Sequence, residues 1–492
     1  MKKHLIICLI IITLVIASCR KESQDSKSEL DISPKELAFP GTGGDAKLNV
    51  SMTGRKWTVS SRGNWCTTLI SSSTIAYVQL KVTALPNSTG NPRSTKLTFV
   101  VDSQDSVTVD ITQDRYYPDY SDPIAPDMSG MEKDAIGLAF GMFAGWNLGN
   151  TLEALGGETA WGNPLATQLL IDSVKAAGIN SVRIPCGWNS YIEDPATCKL
   201  KDSWLQRVKQ VVDYCCNTGM YVILNSHWDG GWLEQNPTYS KQVAVNAKQK
   251  AIWEQVARFF RDYDEHLIFA GTNEVHTDSD PVSENFEVQM SYNQTFVDAV
   301  RSTGGKNAYR TLLIQAYNTN IDHAVNHLEL PADKVTGRLM VEVHYYDPWE
   351  FAGLESDASW GTVKYLWGVD FAQYGTISSW GQEDYAVSQF ARMKAGFVDH
   401  GYPVILGEFG AIRRALLTGD ALEHHLESRS YYYRFLTERA KNAGMVPFVW
   451  DNGALENLGF GIFNRNDGTV SDRRLLKAYL EGASAGEYPF RK

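Results

Sequence analysis

Basic charge is what this 492-residue chain is short of: 46 lysines and arginines stand against 57 aspartates and glutamates, a formal net charge of −11. Proteins that neutralise a phosphate backbone need the opposite balance, so nucleic acid is excluded as a partner. Cysteine is scarce as well, with 7 in the chain and none in the C-x-x-C spacing of a structural zinc site. Neither does any H-E-x-x-H occur, and the apolar run Leu5 to Ile16 falls short of the roughly 20 residues a spanning helix requires. What the chain has is core material, since 43% of residues are hydrophobic and 11% aromatic. That composition can bury a large interior and is inconsistent with disorder as the dominant state.

The first segment reads as an address. Met1-Lys2-Lys3-His4 is positive, Leu5 to Ile16 is apolar, and Ala17-Ser18 are small. Ile16-Ala17-Ser18-Cys19 resembles the bacterial lipobox, which implies that residues 1–18 are removed and that Cys19 carries a lipid. The expectation is an outer-membrane lipoprotein exposed at the cell surface, touching the membrane through that anchor. Cys66, Cys186, Cys198, Cys215 and Cys216 then remain, an odd number, so at least one is free or bonded outside the chain. Cys215 and Cys216 fall in a helix-like run, where buried thiols are expected.

Residues 19–29 are polar and suit a flexible tether. From 30 to 113 short alternating runs, such as Tyr77-Val-Gln-Leu-Lys-Val82 and Lys96-Leu-Thr-Phe-Val100, are separated by Gly, Pro, Asn and Ser clusters. Strands at that spacing predict a small β-sandwich, with Trp57 and Trp65 in its core. Closed by Val107-Thr-Val-Asp-Ile-Thr-Gln113, this segment resembles the BACON domain, which implies an immunoglobulin-like sandwich. The family name suggests sugar binding, but no run of evidently exposed aromatics supports it, and a spacer is the favoured reading. Pro118, Pro123 and Pro126 mark 114–130 as a stiff linker.

Residues 131–492 alternate short apolar runs with helix-period stretches, the pattern of an α/β protein built from βα units. Eight strands are expected near 143–148, 181–184, 221–224, 267–270, 311–314, 339–343, 404–406 and 446–449. Helices are expected at 165–177, 204–218, 247–263, 289–302, 386–400 and 424–443. Together they predict a (β/α)8 TIM barrel, whose active site lies at the C-terminal ends of the strands. Polar and aromatic groups cluster at those ends: Asn147 and Asn150, Arg183, His227, Asn273 with Glu274, His344 with Tyr346, Glu408, and Trp450 with Asp451. Glu274 after the fourth strand and Glu408 after the seventh would face each other across the mouth. Glycosidic cleavage needs such a pair, one carboxyl protonated and one ionised.

These residues, with Asn147-Leu-Gly-Asn-Thr-Leu-Glu153, His227-Trp-Asp-Gly-Gly-Trp232 and His344-Tyr-Tyr-Asp-Pro348, resemble glycoside hydrolase family 5, subfamily 4, from about Met131 to Leu480. Matching the family's motifs leads to Arg183, His227, Asn273, Glu274, His344, Tyr346, Glu408 and Trp450. The resemblance implies a retaining mechanism with Glu274 as acid/base and Glu408 as nucleophile, the carboxyls about 5 Å apart. Arg183 and Tyr346 are expected to favour the ionised form of Glu408, and burial beside that charge to raise Glu274. Asn273 is placed for the sugar 2-hydroxyl, and Trp450 offers a stacking face. His227 and His344 are expected to bond sugar hydroxyls and the carboxylates rather than a metal, and no metal or cofactor is expected.

Where many family members carry a second histidine, this chain has Trp228. The long segment 345–403 is rich in aromatics, and Trp349, with Trp161 and Trp232 from other loops, is expected to line an open cleft. A neutral polysaccharide suits the negative charge. The resemblance implies an endo-β-1,4-glucanase acting as a monomer on a neutral β-glucan, xyloglucan favoured, then mixed-linkage glucan or cellulose. The alternatives are a mannanase or xylanase on the same frame, or a surface glycan-binding lipoprotein without catalysis, against which the two glutamates argue.

Overall fold

A computed structural model describes residues 28–102 and 105–490 of the chain. Cys19 and the expected signal lie outside the described residues. Eight parallel strands close into a barrel in chain order: β1 (Gly145–Asn147), β2 (Ser181–Ile184), β3 (Tyr221–Asn225), β4 (Leu267–Ala270), β5 (Leu312–Gln315), β6 (Leu339–Tyr345), β7 (Val404–Phe409) and β8 (Met445–Val449). β8 pairs back to β1, which removes both sheet edges. Covered on both faces, the strands are continuous apolar runs such as Tyr-Val-Ile-Leu in β3, every residue buried.

Side chains alternate between the two faces of each strand. The inward set on the lower barrel includes Ile223, Ile268, Leu313, Met340, Ile405 and Phe448, packed with Leu138 from the helix Ala135–Gly141 and with Met142 just after it. Asp134 caps that helix by accepting from the Gly137 amide, which fixes its start. Along β6 the period of two puts Met340, Glu342 and His344 on one face, so the interior passes from apolar at the bottom to charged at the top.

Outer helices include Asp202–Cys216, Tyr239–Phe259, Ser283–Ser302, Glu383–Gly396, Gly419–Asn442 and Arg473–Ala485. They seal the outer strand faces through large side chains, for instance Trp253 with its ring centroid 4.7 Å from that of Phe296 and 5.5 Å from that of Phe269. Emptying such a site by Trp253→Ala costs about 3–5 kcal/mol. Residues 115–130, expected as a stiff linker, belong to the barrel's compact unit. The Tyr120 hydroxyl donates to the Thr197 carbonyl at 2.9 Å, and Ile124 forms a bridge with Gly304.

β6 and β7 run longer than their apolar lettering predicts, and the cause is a bulge. Val343 pairs with Leu406, but the next residue, His344, pairs with Glu408, so Gly407 is the extra residue. A Cβ at Gly407 would sit 2.0 Å from Oε1 of Glu342. Only glycine leaves room there for a buried carboxylate, and the bulge sets His344 beside Glu408.

The front unit is a separate two-sheet structure. One sheet has four strands, ordered Glu29–Ser33, Gly44–Thr53, Tyr77–Ala84 and Cys66–Thr68. The other has five, ordered Glu36–Phe39, Asp105–Gln113, Arg93–Val101, Trp57–Ser61 and Ser72–Ser73. Leu48, Val50, Leu80 and Val82 from the first sheet meet Trp57, Leu97, Phe99, Val109 and Ile111 from the second. Trp57 and Trp65 are both buried, as core residues should be.

Candidate active site

The upper barrel is organised around one guanidinium. Arg183 on β2 is fully buried, and its fork distributes four contacts. Nη1 donates to Glu408 Oε1 at 2.7 Å and to Asn147 Oδ1 at 3.0 Å. Nη2 donates to Asn273 Oδ1 at 2.7 Å. Nε lies 2.8 Å from Glu342 Oε1, a charge contact without hydrogen-bond alignment. Asn147 on β1 is held in turn by donating to the Gly407 carbonyl at 2.8 Å. Four strand ends are thereby locked to one another by a rigid side chain.

Glu274 and Glu408 meet here. One oxygen of each, with a ring nitrogen of His344, all lie within 4.8 Å of one another. Glu408 accepts from Arg183 on Oε1 and from the Tyr346 hydroxyl on Oε2 at 3.1 Å. Glu274 Oε1 is 2.7 Å from His344 Nδ1, and its side chain is 37% exposed to the cleft, so one carboxyl is accessible while the other is nearly closed off. Asn273 donates its amide to Glu234 Oε1 at 2.8 Å, and the Glu274 backbone N–H donates to the same oxygen. Trp450 follows β8, its ring parallel to that of His227 at 6.0 Å. Asn150 stands just beyond β1 with φ +53, its backbone N–H donating to Glu153. Trp349, 42% exposed, stands edge-on to Tyr346 at 5.9 Å and lines the cleft with Glu274 and His344.

Two expectations need correction. His227 bonds neither carboxylate: its Nδ1 accepts from the Asn225 amide at 3.1 Å, because Asn225 ends β3 directly behind it. Burial, then the charges of Arg183 and His344, keep His227 well below the ordinary range and neutral. The second concerns the order of the two carboxyls. At rest Glu274 is lowered, since the pull of His344, first by hydrogen bond and then by charge, outweighs desolvation. Glu408 is raised by desolvation, with Glu274 and Glu342 adding to it against His344 and Arg183. The expected order had Glu274 above Glu408. The expected histidine–carboxylate bond is made by His344 to Glu274, and its pull on Glu274 is what the expected order left out of account. The pair titrates as one unit.

Trp232 is only partly an aromatic wall. Its indole N–H donates to Asp229 at 3.1 Å and the Lys248 ammonium sits 4.5 Å over its ring. Trp161 is 42% exposed, with its ring 6.5 Å from that of Trp228. Glu342, Gln315 and Glu234 are site residues that sequence reasoning missed. Glu342 had a signal, a charge inside the apolar run Leu339-Met-Val-Glu-Val-His-Tyr345 two residues before His344. Glu234 had none. Desolvation and the Glu274 charge push it up to about 8 despite its two donors.

Among the described residues, Glu274, His344 and Glu408 are also the group whose donor atoms could converge on a metal ion. His344 Nδ1 is already paired with Glu274 and Glu408 Oε1 accepts from Arg183, and a cation at that point would face the guanidinium. The arrangement suits proton exchange and attack by a carboxylate.

Residues 147–456 match Cellulase (glycosyl hydrolase family 5), and residues 55–114 match the BACON domain. The chain belongs to glycosyl hydrolase family 5. It is 36% identical over 501 residues to the xyloglucan-specific endo-beta-1,4-glucanase BoGH5A of Bacteroides ovatus, covering 98% of this chain and 96% of that one. A Bacteroides ovatus GH5 xyloglucanase solved with a XXXG heptasaccharide superposes with TM-score 0.71 at 35% identity, covering 93% of this chain and all of that one. XEG5B, a xyloglucan-specific β-1,4-glucanase from a ruminal metagenomic library solved with XXLG, gives 0.68 at 40% identity over 73% of this chain and 98% of its own. This family 5 protein is a glycoside hydrolase of the endo-β-1,4-glucanase type, with the (β/α)8 barrel and the BACON domain expected from the sequence.

Proposed function

We propose that this enzyme cuts internal β-1,4 bonds of xyloglucan with retention of configuration, Glu408 acting as nucleophile and Glu274 as acid/base. The observation that carries this reading is the approach of the two carboxyls to within 4.8 Å, the close spacing of retaining rather than inverting enzymes. Arg183 and Tyr346 each donate to one oxygen of Glu408, which favours its ionised form. Once a proton sits on the Glu274–His344 side, the Glu274 charge no longer adds to the desolvation that raises Glu408, and those two donors hold it ready to attack the anomeric carbon. Glu274 gives the proton to the leaving oxygen. After Glu408 becomes an ester its negative charge disappears, and Glu274 takes a proton from water in the second half-reaction.

Asn273, held by Arg183 and Glu234, is the partner for the 2-hydroxyl, where a hydrogen bond strengthens as positive charge grows in the ring. Trp450 supplies the stacking face at the cleavage point, and Asn150, His227, Trp349 and Trp232 border the neighbouring sugar positions. Xyloglucan is favoured because the relatives just described carry that specificity in their names. The net charge of −11 favours a neutral polymer.

Cys19 is the lipid anchor in this reading, placing a monomeric enzyme on the outer-membrane surface with the BACON domain as spacer. Its support is the Ile16-Ala-Ser-Cys19 sequence. Among the described residues no helix is long and apolar enough to cross a membrane.

The test offers purified protein xyloglucan, mixed-linkage glucan, carboxymethyl cellulose, mannan and xylan and follows product length. Fastest internal cutting of xyloglucan is expected. Preference for mannan or xylan would overturn the substrate, and binding without cleavage would overturn the activity.

A further inference from the structure

Glu342 is a buried charge that the reaction as described does not use. Its side chain is 0% exposed, and a carboxylate taken that far from water costs several kcal/mol unless it is paired and hydrogen-bonded. Three partners surround it. Oε1 lies 2.8 Å from Arg183 Nε and 3.4 Å from His344 Nε2, and Oε2 accepts from the Gln315 amide at 2.6 Å. The chain also makes space for it, since at Gly407 any Cβ would collide with Oε1. Arg183 in turn touches Glu408, and His344 touches Glu274 and lies 3.7 Å from Glu408. Glu342 therefore stands behind both carboxyls and touches neither.

Its contact with His344 decides which way that ring is protonated. With an acceptor on Nε2, the stable form of the imidazole carries its proton there, and Nδ1 is left facing Glu274 Oε1 at 2.7 Å. The same logic of carboxylate, imidazole and reacting group orients histidines in unrelated sites. We propose that Glu342 is a positioning residue for proton transfer: it fixes the Nε2-protonated form of His344, so that His344 Nδ1 and Glu274 jointly hold the proton exchanged with the glycosidic oxygen. This rests on the reading of Glu274 as acid/base.

The balance is simple. In the first half-reaction the bond between the anomeric carbon and the leaving oxygen breaks, Glu408 bonds that carbon, and the proton held by the Glu274–His344 pair goes to the leaving oxygen. In the second, water oxygen bonds the carbon, Glu408 leaves as a carboxylate, and the proton from water returns to the pair. Groups facing His344 are Glu408 on β7, Glu274 after β4, Arg183 on β2, His227 after β3, and Glu342 and Tyr346 on or just after its own strand. Burial alone would push His344 down, but Glu408 and the bonds to Glu274 and Glu342 raise it to about 9. Taking the Glu342 charge away makes every proton in this group easier to lose.

The experiment compares wild type, Glu342→Gln, Glu342→Asp and Glu274→Ala on two substrates. One is a xyloglucan oligosaccharide whose leaving sugar needs a proton. The other is a 2,4-dinitrophenyl cellobioside whose leaving group does not. Glu342→Gln is expected to change the ratio of the two kcat/KM values at least about tenfold, within the range general acids contribute. The alkaline limb of the oligosaccharide profile should move to lower pH by about one unit or more. Glu342→Asp, which keeps the charge, should restore the position of that limb. An unchanged ratio and an unmoved limb in Glu342→Gln, with Glu274→Ala showing the split, overturns the role of Glu342 alone. Loss of both substrates in equal measure in Glu274→Ala overturns the acid/base reading beneath it. Should Glu342→Gln fail to fold, 15N spectra of histidine-labelled wild type decide: a protonated Nε2 on His344 at neutral pH is expected, and an unprotonated Nε2 refutes the proposal.

Discussion

Arg183→Lys keeps the charge at the centre of the site and removes the fork. In the native protein three nitrogens reach Glu408, Asn147, Asn273 and Glu342, all between 2.7 and 3.0 Å. A lysine carries one nitrogen on a flexible stem and cannot approach acceptors on four different strands at once. At least two of the four lose their partner, in a place that no water-exposed rearrangement can relieve. Each buried acceptor left unsatisfied costs about 1–3 kcal/mol, so the variant should lose roughly 2–6 kcal/mol, a large part of the stability of a typical domain. Activity should fall further than stability. Glu408 and Asn273 both lose the contact that aims them, and displacement of a reacting group by about 1 Å can cost around 10²-fold in rate. The assay pairs thermal unfolding with kcat and KM on xyloglucan at fixed pH. The expectation is a lower midpoint, kcat reduced about 10²-fold or more, and KM little changed because the stacking aromatics remain. A lysine variant with native kcat and midpoint would refute the claim that the fork organises the site.

Gly407→Ala adds a single methyl where Glu342 already sits. Since φ at Gly407 is not in the left-handed region, the effect is purely steric: about 1–3 kcal/mol of overpacking together with reduced kcat, read by thermal unfolding and rates. His344, raised to about 9, contributes stability that is fully present below its ordinary value near 6.5 and lost as pH rises through about 9. The gap in unfolding midpoint between wild type and His344→Phe should therefore be widest below pH 6.5 and narrow above it. A gap independent of pH counts against the charged imidazole. EDTA should leave the rate on xyloglucan unchanged, and abolished activity restored by a divalent ion would establish a metal at Glu274, His344 and Glu408. Trp349→Ala should raise KM for the polymer several-fold, in keeping with about 0.5–1.5 kcal/mol for aromatic stacking, while kcat on a short aryl glycoside stays near native.

Most of the barrel was legible because parallel strands covered on both faces must be continuous apolar runs, and the punctuation between them left few alternatives. The strand ends were harder. β1 spans only Gly145–Asn147, shorter than its apolar surroundings imply, and β7 extends to Phe409 through a bulge that only the paired register discloses. Arg183, Asn273, Glu274, His344, Tyr346 and Glu408 converge because each follows or ends a strand, which is why position along the chain was enough to find them. Arg183 and Tyr346 were expected beside Glu408 and are found there, but which partner each histidine takes was not legible. That His344 faces Glu274 while His227 turns back to Asn225 depends on ring rotation, and the inverted order of the two carboxyls at rest follows from that contact together with the desolvation of Glu408. Glu342 hides in a strand, where a lone charge is easily read as an irregularity rather than as the anchor of two neighbours. Glu234 reaches Asn273 from a loop, and loop geometry has no period to read.

The central claim is that Glu408 forms a covalent bond to the sugar. A 2-deoxy-2-fluoro cellobioside with an activated leaving group slows breakdown of that bond more than it blocks formation, so the adduct accumulates and can be mapped by peptide mass spectrometry. The account predicts one sugar per chain, attached at Glu408, with turnover lost as it forms. Labelling at another residue, or no adduct together with an inverted first product, would contradict it.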